Sequence, residues 1–309
     1  MMARRNRGNP IHGWLVIDKD LNITSAQVVG RAKKIMNAAK VGHGGTLDPL
    51  ATGVLPLAFG EATKTVSYMM AGKKTYNFTV SWGISTDTDD AEGAVVRTSS
   101  VRPSKVFIES ILSQFIGHIQ QTPPIYSAVK VEGKRAYALA RAEKPVKLEP
   151  RPIFIEEFKL VDIVDVDHAS FEVTSGKGAY VRGLARDIAV CLGTVGHVSK
   201  LRRTSVGPFS EKDAISLDQL ERLGHKDAVA DILRPVEAAL DDIPALVLTE
   251  DEACSLRCGQ SISALKLAKR IPLVRIDPGA VVCAMEDGKV VALAKFEGNE
   301  IRPFRVLNF

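Results

Sequence analysis

Cysteine is scarce in this chain: four among 309 residues, at 191, 254, 258 and 283. Such sparse usage excludes a disulfide scaffold and predicts a reducing, cytoplasmic location. Cys254 and Cys258 lie one helical turn apart, but no histidine stands near either, so no metal site is predicted there. No run of 18 apolar residues exists, which excludes a transmembrane helix, and Met1–Pro10 is basic and polar rather than signal-like. Several catalytic signatures are missing as well. Gly72-Lys73-Lys74 lacks both the first glycine and the closing Ser/Thr of a phosphate-binding loop. No dinucleotide-binding glycine motif follows a strand, no Gly-x-Ser-x-Gly elbow occurs, and no His-x-x-x-His or paired Cys-x-x-Cys offers a metal cage. The turn Asp87–Gly93 fails as a calcium loop, with Ala91 at the third ligand position and the glycine one place late. An enzyme with this sequence is expected to work without nucleotide, metal or flavin, so no cofactor is predicted.

What is present is charge, unevenly placed. The net charge is +5, yet residues 1–75 carry 11 Lys/Arg against 4 Asp/Glu and residues 177–203 carry 6 against 1. Residues 211–252 reverse this, with 4 against 12. Two basic segments and one acidic one predict a positive face for a polyanion, with nucleic acid favoured over mere solvated charge. The hydrophobic fraction of 45% and the length predict one large domain followed by a small one.

Along the chain, residues 1–11 read as a flexible basic tail and Gly13–Ile17 as a strand. Thr24 or Ser25 can cap a helix reaching about Ala39, with Val28, Ala32, Ile35 and Ala39 on one stripe. Val41–Gly60 reads as loop-rich, and Glu61–Met70 as helical. Thr75–Trp82 alternates, Tyr76, Phe78, Val80 and Trp82 sharing one face, and Ala94–Arg97 is its expected partner. Pro103–Ile116 reads as a helix, residues 124–152 as a long basic insertion, Phe154–Val166 and Ala169–Ser175 as strands, and Tyr180–Leu192 as an amphipathic helix with Arg182 and Arg186 on one face. The acidic stretch 211–243 is expected to be mostly helical. After Pro244 a helix near 250–258 precedes short strands at Pro272–Ile276, Val281–Glu286, Val290–Phe296 and Arg302–Val306, with Asp287-Gly288 as a hairpin turn.

One carboxylate stands out. Asp48 lies in Gly42-His-Gly-Gly-Thr-Leu-Asp-Pro-Leu-Ala-Thr-Gly-Val-Leu-Pro, between a glycine-rich approach and a proline. By itself it reads either as a turn residue or as a poised catalytic group. The whole run resembles the catalytic motif of the bacterial tRNA pseudouridine-55 synthase family (tRNA pseudouridine synthase B type). Four further segments resemble that family's motifs in order: Lys74-Thr-Tyr, Gln121-Thr-Pro-Pro-Ile-Tyr-Ser-Ala-Val-Lys, Ser175-Gly-Lys-Gly-Ala-Tyr-Val-Arg-Gly-Leu-Ala-Arg-Asp and Leu201-Arg-Arg-Thr-Ser-Val-Gly-Pro-Phe. The resemblance spans roughly residues 11–240. It departs at Asp18-Lys-Asp-Leu-Asn-Ile-Thr-Ser, where the family opens Asp-Lys-Pro-x-Gly-x-Thr-Ser, and at Gly44, where it often has threonine.

The resemblance implies isomerisation of uridine to pseudouridine in the T-loop of tRNA: the N1–C1′ bond breaks, the uracil turns over and C5 bonds to C1′. Nothing is added or lost, which agrees with the missing cofactor motifs. It assigns Asp48 as the catalytic carboxylate, as nucleophile or base, and Arg182 as the guanidinium that favours its ionised form. It implies a flipped base, with Tyr76 stacking on it, Leu201 and Tyr180 walling the pocket, and His43 filling the vacated space. Tyr76 and Leu201 otherwise read as core, and Arg182 as a helix-surface residue. Lys19, Lys64, Lys130 and the Lys33/Lys34 pair are candidate phosphate contacts. The expected architecture is mixed α+β: a catalytic domain over 12–245 with a central, largely antiparallel sheet, an RNA cleft and an RNA-gripping insertion at about 124–152, then a small β-rich PUA-like domain over 246–309. A monomer is expected, with the tRNA T-arm as partner and neither a membrane nor an obligate protein partner. Two other readings stay open: a non-catalytic RNA-binding or RNA-folding protein on the same scaffold, and a synthase acting on another RNA.

Overall fold

The computed structural model describes residues 8–131, 133–142, 145–224, 231–268, 270, 277 and 279–309. Its strands are β1 (Gly13–Lys19), β2 (Val41–His43), β3 (Ala51–Phe59), β4 (Lys74–Trp82), β5 (Ile84–Thr86), β6 (Val95–Thr98), β7 (Gly117–Gln121), β8 (Lys130–Val131), β9 (Lys134–Arg135), β10 (Arg151–Ile163), β11 (His168–Ser175), β12 (Gly196–Val206), β13 (Phe209–Ser210), β14 (Ala245–Val247), β15 (Ile262–Ser263), β16 (Val281–Glu286), β17 (Lys289–Glu297) and β18 (Glu300–Val306). The first six helices are α1 (Ser25–Ile35), α2 (Val66–Ala71), α3 (Lys105–Leu112), α4 (Ala136–Arg141), α5 (Val181–Cys191) and α6 (Leu217–Leu223).

The fold is mixed α+β. A large sheet runs β1-β3-β12-β4-β11-β10-β7, with β2 added to β3 and β13 to β12. Every pairing in it is antiparallel except β3 with β12, which run parallel where Ala51–Gly53 meet Leu201–Arg203. A second sheet, β14-β16-β17-β18-β15, is built from the chain after residue 244. The Asp287-Gly288 turn joins β16 to β17 with φ of 49° and 77°, the left-handed pair that a two-residue hairpin needs. Trp14, Val16 and Val54 of the large sheet share a buried cluster with Cys283, Val290, Leu293 and Leu307, so the two sheets meet through apolar packing.

Local rules explain much of this. Thr24 caps α1: its hydroxyl accepts from the Gln27 N–H and the Gln27 side chain accepts from the Thr24 N–H. Val28 and Ala32 are buried as expected, but the helix stops at Ile35, short of Ala39, because Asn37 turns left-handed with φ 43°. On α5, Leu184, Ala185 and Ile188 face the core.

Other expectations need correction. The segment read as loop-rich contains β3, nine residues buried along nearly its whole length. A strand covered on both faces shows no alternation, and Gly53 and Pro56 disguise it further. Gly53 has φ +100°, and a Cβ there would lie 2.2 Å from the Arg203 carbonyl oxygen, so only glycine fits where β12 approaches. Residues 94–97 do not pair with β4. β6 pairs with β5 in a separate two-stranded sheet, because β11 and β12 occupy both edges of β4. Glu61–Met70 divides into a 3₁₀ turn at Gly60–Lys64 and the short α2, and the helix expected over 103–116 is α3 plus a 3₁₀ turn. The acidic stretch holds only α6 and two 3₁₀ turns among its described residues. The strand expected at 272–276 and most of the N-terminal tail lie outside the described residues.

Candidate active site

Asp48 sits on the loop between β2 and β3, and the backbone around it is pinned from several sides. The Ser25 hydroxyl donates to the Leu47 carbonyl at 3.0 Å and accepts from the Leu47 N–H at 2.9 Å. The Ala51 N–H donates to the Asp48 carbonyl, and the Asn22 N–H to that of Pro49. Asn22 stands where the family pattern has glycine and adopts φ +60°. Asparagine visits this region more readily than most residues, so the turn keeps its shape without the glycine.

Lys19 also serves this loop. It is the first correction to the expected RNA contacts. Its side chain is fully enclosed, and Nζ donates to the carbonyls of Asp20, Ile23 and Pro49. Burial pushes its ammonium down to about 8, partly opposed by the charge of Asp48. A lysine with three backbone acceptors and no exposed surface holds the loop and is not presented to a phosphate. Lys64 is likewise engaged, donating to Glu61 and to the Val306 carbonyl of β18, which ties the two sheets together. Lys130 is exposed on β8, in the insertion.

Arg182 stands in the first turn of α5, only 6% exposed despite its charge. Its Nε lies 2.9 Å from Asp48 Oδ2, while the Asp48 side chain keeps 40% of its surface open. Nη1 donates to the Thr88 carbonyl at 2.8 Å and lies 3.4 Å from Asp90 Oδ2; Nη2 donates to the Tyr126 carbonyl at 3.0 Å. The turn that fails as a calcium loop therefore supplies a buried acid and a carbonyl to the guanidinium. Asp90 is fixed in turn by Thr88 Oγ1 and the Glu92 N–H. One turn further along α5, Arg186 binds Asp89 and the Thr122 carbonyl. Together the two arginines clamp the root of the insertion. Tyr180 precedes the helix; its backbone is held both ways by Gln121, and burial raises its phenol above the ordinary value.

On the sheet, Tyr76 of β4 is opposite Arg203 of β12, and Phe78 is opposite Leu201, so all four share one face. Tyr76 and Leu201 are half-buried and pack against the clusters on both sides of the site. His43 ends β2; its Nδ1 accepts from the Gly45 N–H, and burial followed by the nearby Arg203 charge holds its imidazole below the usual value. The fold thus brings Asp48, Arg182, Tyr76, Tyr180, Leu201 and His43 to one region.

Arg203 is the residue the sequence reading missed. It is 1% exposed; Nε donates to the Val54 carbonyl at 2.8 Å, Nη2 to that of Gly45 at 3.0 Å and Nη1 to that of Thr46 at 3.4 Å. One guanidinium therefore spans the chain on both sides of Asp48. Charged residues default to the surface in any sequence reading, and the only available signal was its place two residues after Leu201 in the last motif. Arg203→Met should leave those carbonyls without donors and lower unfolding free energy by roughly 2–4 kcal/mol. Urea unfolding measures this, and a loss under about 1 kcal/mol would refute the bracing role.

A solvent-open carboxylate paired with an enclosed guanidinium thus lies beside a tyrosine and a leucine on a mixed sheet. Comparison with known proteins agrees with the motifs. The model for the TruB family pseudouridylate synthase N-terminal domain matches residues 33–181, and that for the tRNA pseudouridylate synthase B C-terminal domain matches 182–241. The tRNA pseudouridine synthase B of Rhodospirillum rubrum is 57% identical over 99% of this chain and 100% of its own. That of Gluconacetobacter diazotrophicus is 53% identical over 98% and 100%. A solved Cbf5–Nop10–Gar1 complex shares the fold with TM-score 0.73 and 25% identity over 99% of this chain and 91% of that one. An H/ACA ribonucleoprotein bound to a substrate RNA containing 2′-deoxyuridine shares it with TM-score 0.74 at 23% identity, over 100% and 92%. The chain belongs to the TruB family of pseudouridylate synthases, enzymes of the isomerase class.

Proposed function

We propose that this enzyme converts uridine 55 in the T-loop of tRNA to pseudouridine, with Asp48 as the catalytic carboxylate and the target base flipped out of its stack. The observation that carries the reading is the Asp48–Arg182 pair at 2.9 Å, with the acid open to solvent and the cation enclosed. The reaction balances within the substrate: the N1–C1′ bond breaks, C5 bonds to C1′, the C5 proton leaves and N1 regains one. Whether Asp48 attacks or removes a proton, the step uses its carboxylate oxygens, which the Arg182 guanidinium holds in place at 2.9 Å. A base inside a helix hides its glycosidic bond, so extrusion precedes chemistry. Tyr76 then stacks on the uracil and Leu201 and Tyr180 wall the pocket. His43 occupies the space the base leaves. Lys130, in the insertion whose root Arg182 and Arg186 hold, contacts phosphate as the insertion closes on the T-arm. The chain from 246 onward acts as a small RNA-binding domain, and the enzyme works as a cytoplasmic monomer with no obligate protein partner.

Incubation with an unmodified tRNA transcript, followed by mapping of pseudouridine, tests the assignment. Product at position 55 is expected, and its absence with folded enzyme would overturn the reading. Affinity for the transcript should fall steeply with salt, about 0.7–0.9 logarithmic units per logarithmic unit of salt for each phosphate contact. A flat response would contradict a basic RNA face.

A further inference from the structure

Beside the catalytic loop lies a groove that the site does not use. One wall is the turn 20–23; the other is the exposed face of α1, with Gln27, Gly30, Arg31 and Lys34. Its volume is about 550 Å³, inside the range of roughly 300–1,000 Å³ of ligand clefts. Gln27 stands three and four residues before Gly30 and Arg31, which stand four and three before Lys34, so the four share one stripe. Arg31 and Lys34 are exposed and have no ion pair among the described residues, and Lys33, with Lys34 in the last turn, adds a third positive charge to the helix. Asp20 is the one acid in the lining.

Gly30 is the second, independent observation. It sits in the interior of α1, where glycine is the poorest helix former after proline. Packing does not require it: a Cβ there would meet nothing within 4 Å, and its φ is not left-handed. It leaves the floor of the groove bare between a glutamine and two cations. A bare helix backbone flanked by Arg and Lys suits close approach of a sugar–phosphate chain.

The turn wall is also hydrogen-bonded to the Asp48 loop. Asn22 N–H and Lys19 Nζ both donate to the Pro49 carbonyl, next to Asp48. The groove's turn wall is therefore fastened to the loop that carries Asp48.

We infer that the α1 groove is a second binding track for the phosphodiester backbone of the substrate RNA, gripped by Arg31 and Lys34 over Gly30. The inference rests on the RNA-substrate reading above. Its test is affinity for the unmodified tRNA transcript at several salt concentrations, read beside product mapping on the same samples. The double variant Arg31→Glu/Lys34→Glu should bind at least about 10-fold more weakly, with a salt slope shallower by about one to two phosphate contacts. Gly30→Gln should have an equal or higher Tm, because glutamine favours helix, yet bind the transcript at least about fivefold more weakly. Lys105→Glu, on α3 at the other end of the large sheet, controls for charge alone and should bind like wild type. Affinity within twofold of wild type in both groove variants, or an equal loss in Lys105→Glu, would overturn the track. Wild type that binds RNA without forming product would sink the proposed reaction and leave the groove to be judged on binding.

Discussion

Asp48→Asn is expected to remove pseudouridine formation, with a loss on the order of 10³-fold or more in single-turnover rate. Asparagine matches aspartate in shape and can still accept from Arg182 Nε through its amide oxygen. The loop should therefore stay pinned by Ser25, Lys19 and Asn22, and the Tm should move by little. What disappears is the ionised oxygen, and neither attack nor proton removal proceeds without it. RNA affinity should remain within about threefold, since the side chain is one small, partly open group in a large surface. Rate within tenfold of wild type would show that Asp48 is not the catalytic carboxylate. Loss of binding in parallel with rate would instead place the residue in RNA positioning.

Arg182→Lys should be nearly as damaging, although it conserves charge. The guanidinium meets Asp48, Asp90 and the carbonyls of Thr88 and Tyr126 from different edges of one plane. An ammonium on a flexible stem reaches only part of that set. Asp90 is 4% exposed, so a lost partner leaves a buried charge uncompensated. We expect a drop of about 10²-fold in kcat/KM from the misplaced acid. We also expect a loss of roughly 2–4 kcal/mol in unfolding free energy, at or below the range for broken buried pairs. Activity within threefold and an unchanged urea midpoint would show that positive charge alone is enough.

Much of this site was legible because its parts are local. The Asp48 run, the strand carrying Tyr76 and the helix carrying Arg182 each announce themselves by motif or periodicity. The Thr24–Gln27 capping box and the Asp287-Gly288 hairpin are equally short-range. What was hidden depends on distant chain. β3 looks like loop because both its faces are covered, by elements no window of sequence contains. β6 looked like a partner for β4 because proximity in sequence favoured it, while β11 and β12 arrive later and take both edges. Lys19 and Arg203 looked like surface cations because their acceptors are main-chain carbonyls, which leave no trace in residue type. Asp90 was visible only as part of an acidic turn; its use lies in the guanidinium it meets.

The parallel contact between β3 and β12 has a consequence for the order of synthesis. Thr52 and Arg202 are 150 residues apart, and Arg203 reaches the carbonyls flanking Asp48 across a similar separation. Closing so long a loop has a large entropic cost, met only when the later strand docks. A nascent chain ending before residue 203 holds every residue of the acid loop yet lacks the brace that shapes it. The loop that carries Asp48 therefore takes its braced shape only once the strand bearing Arg203 has been made, well after its own residues.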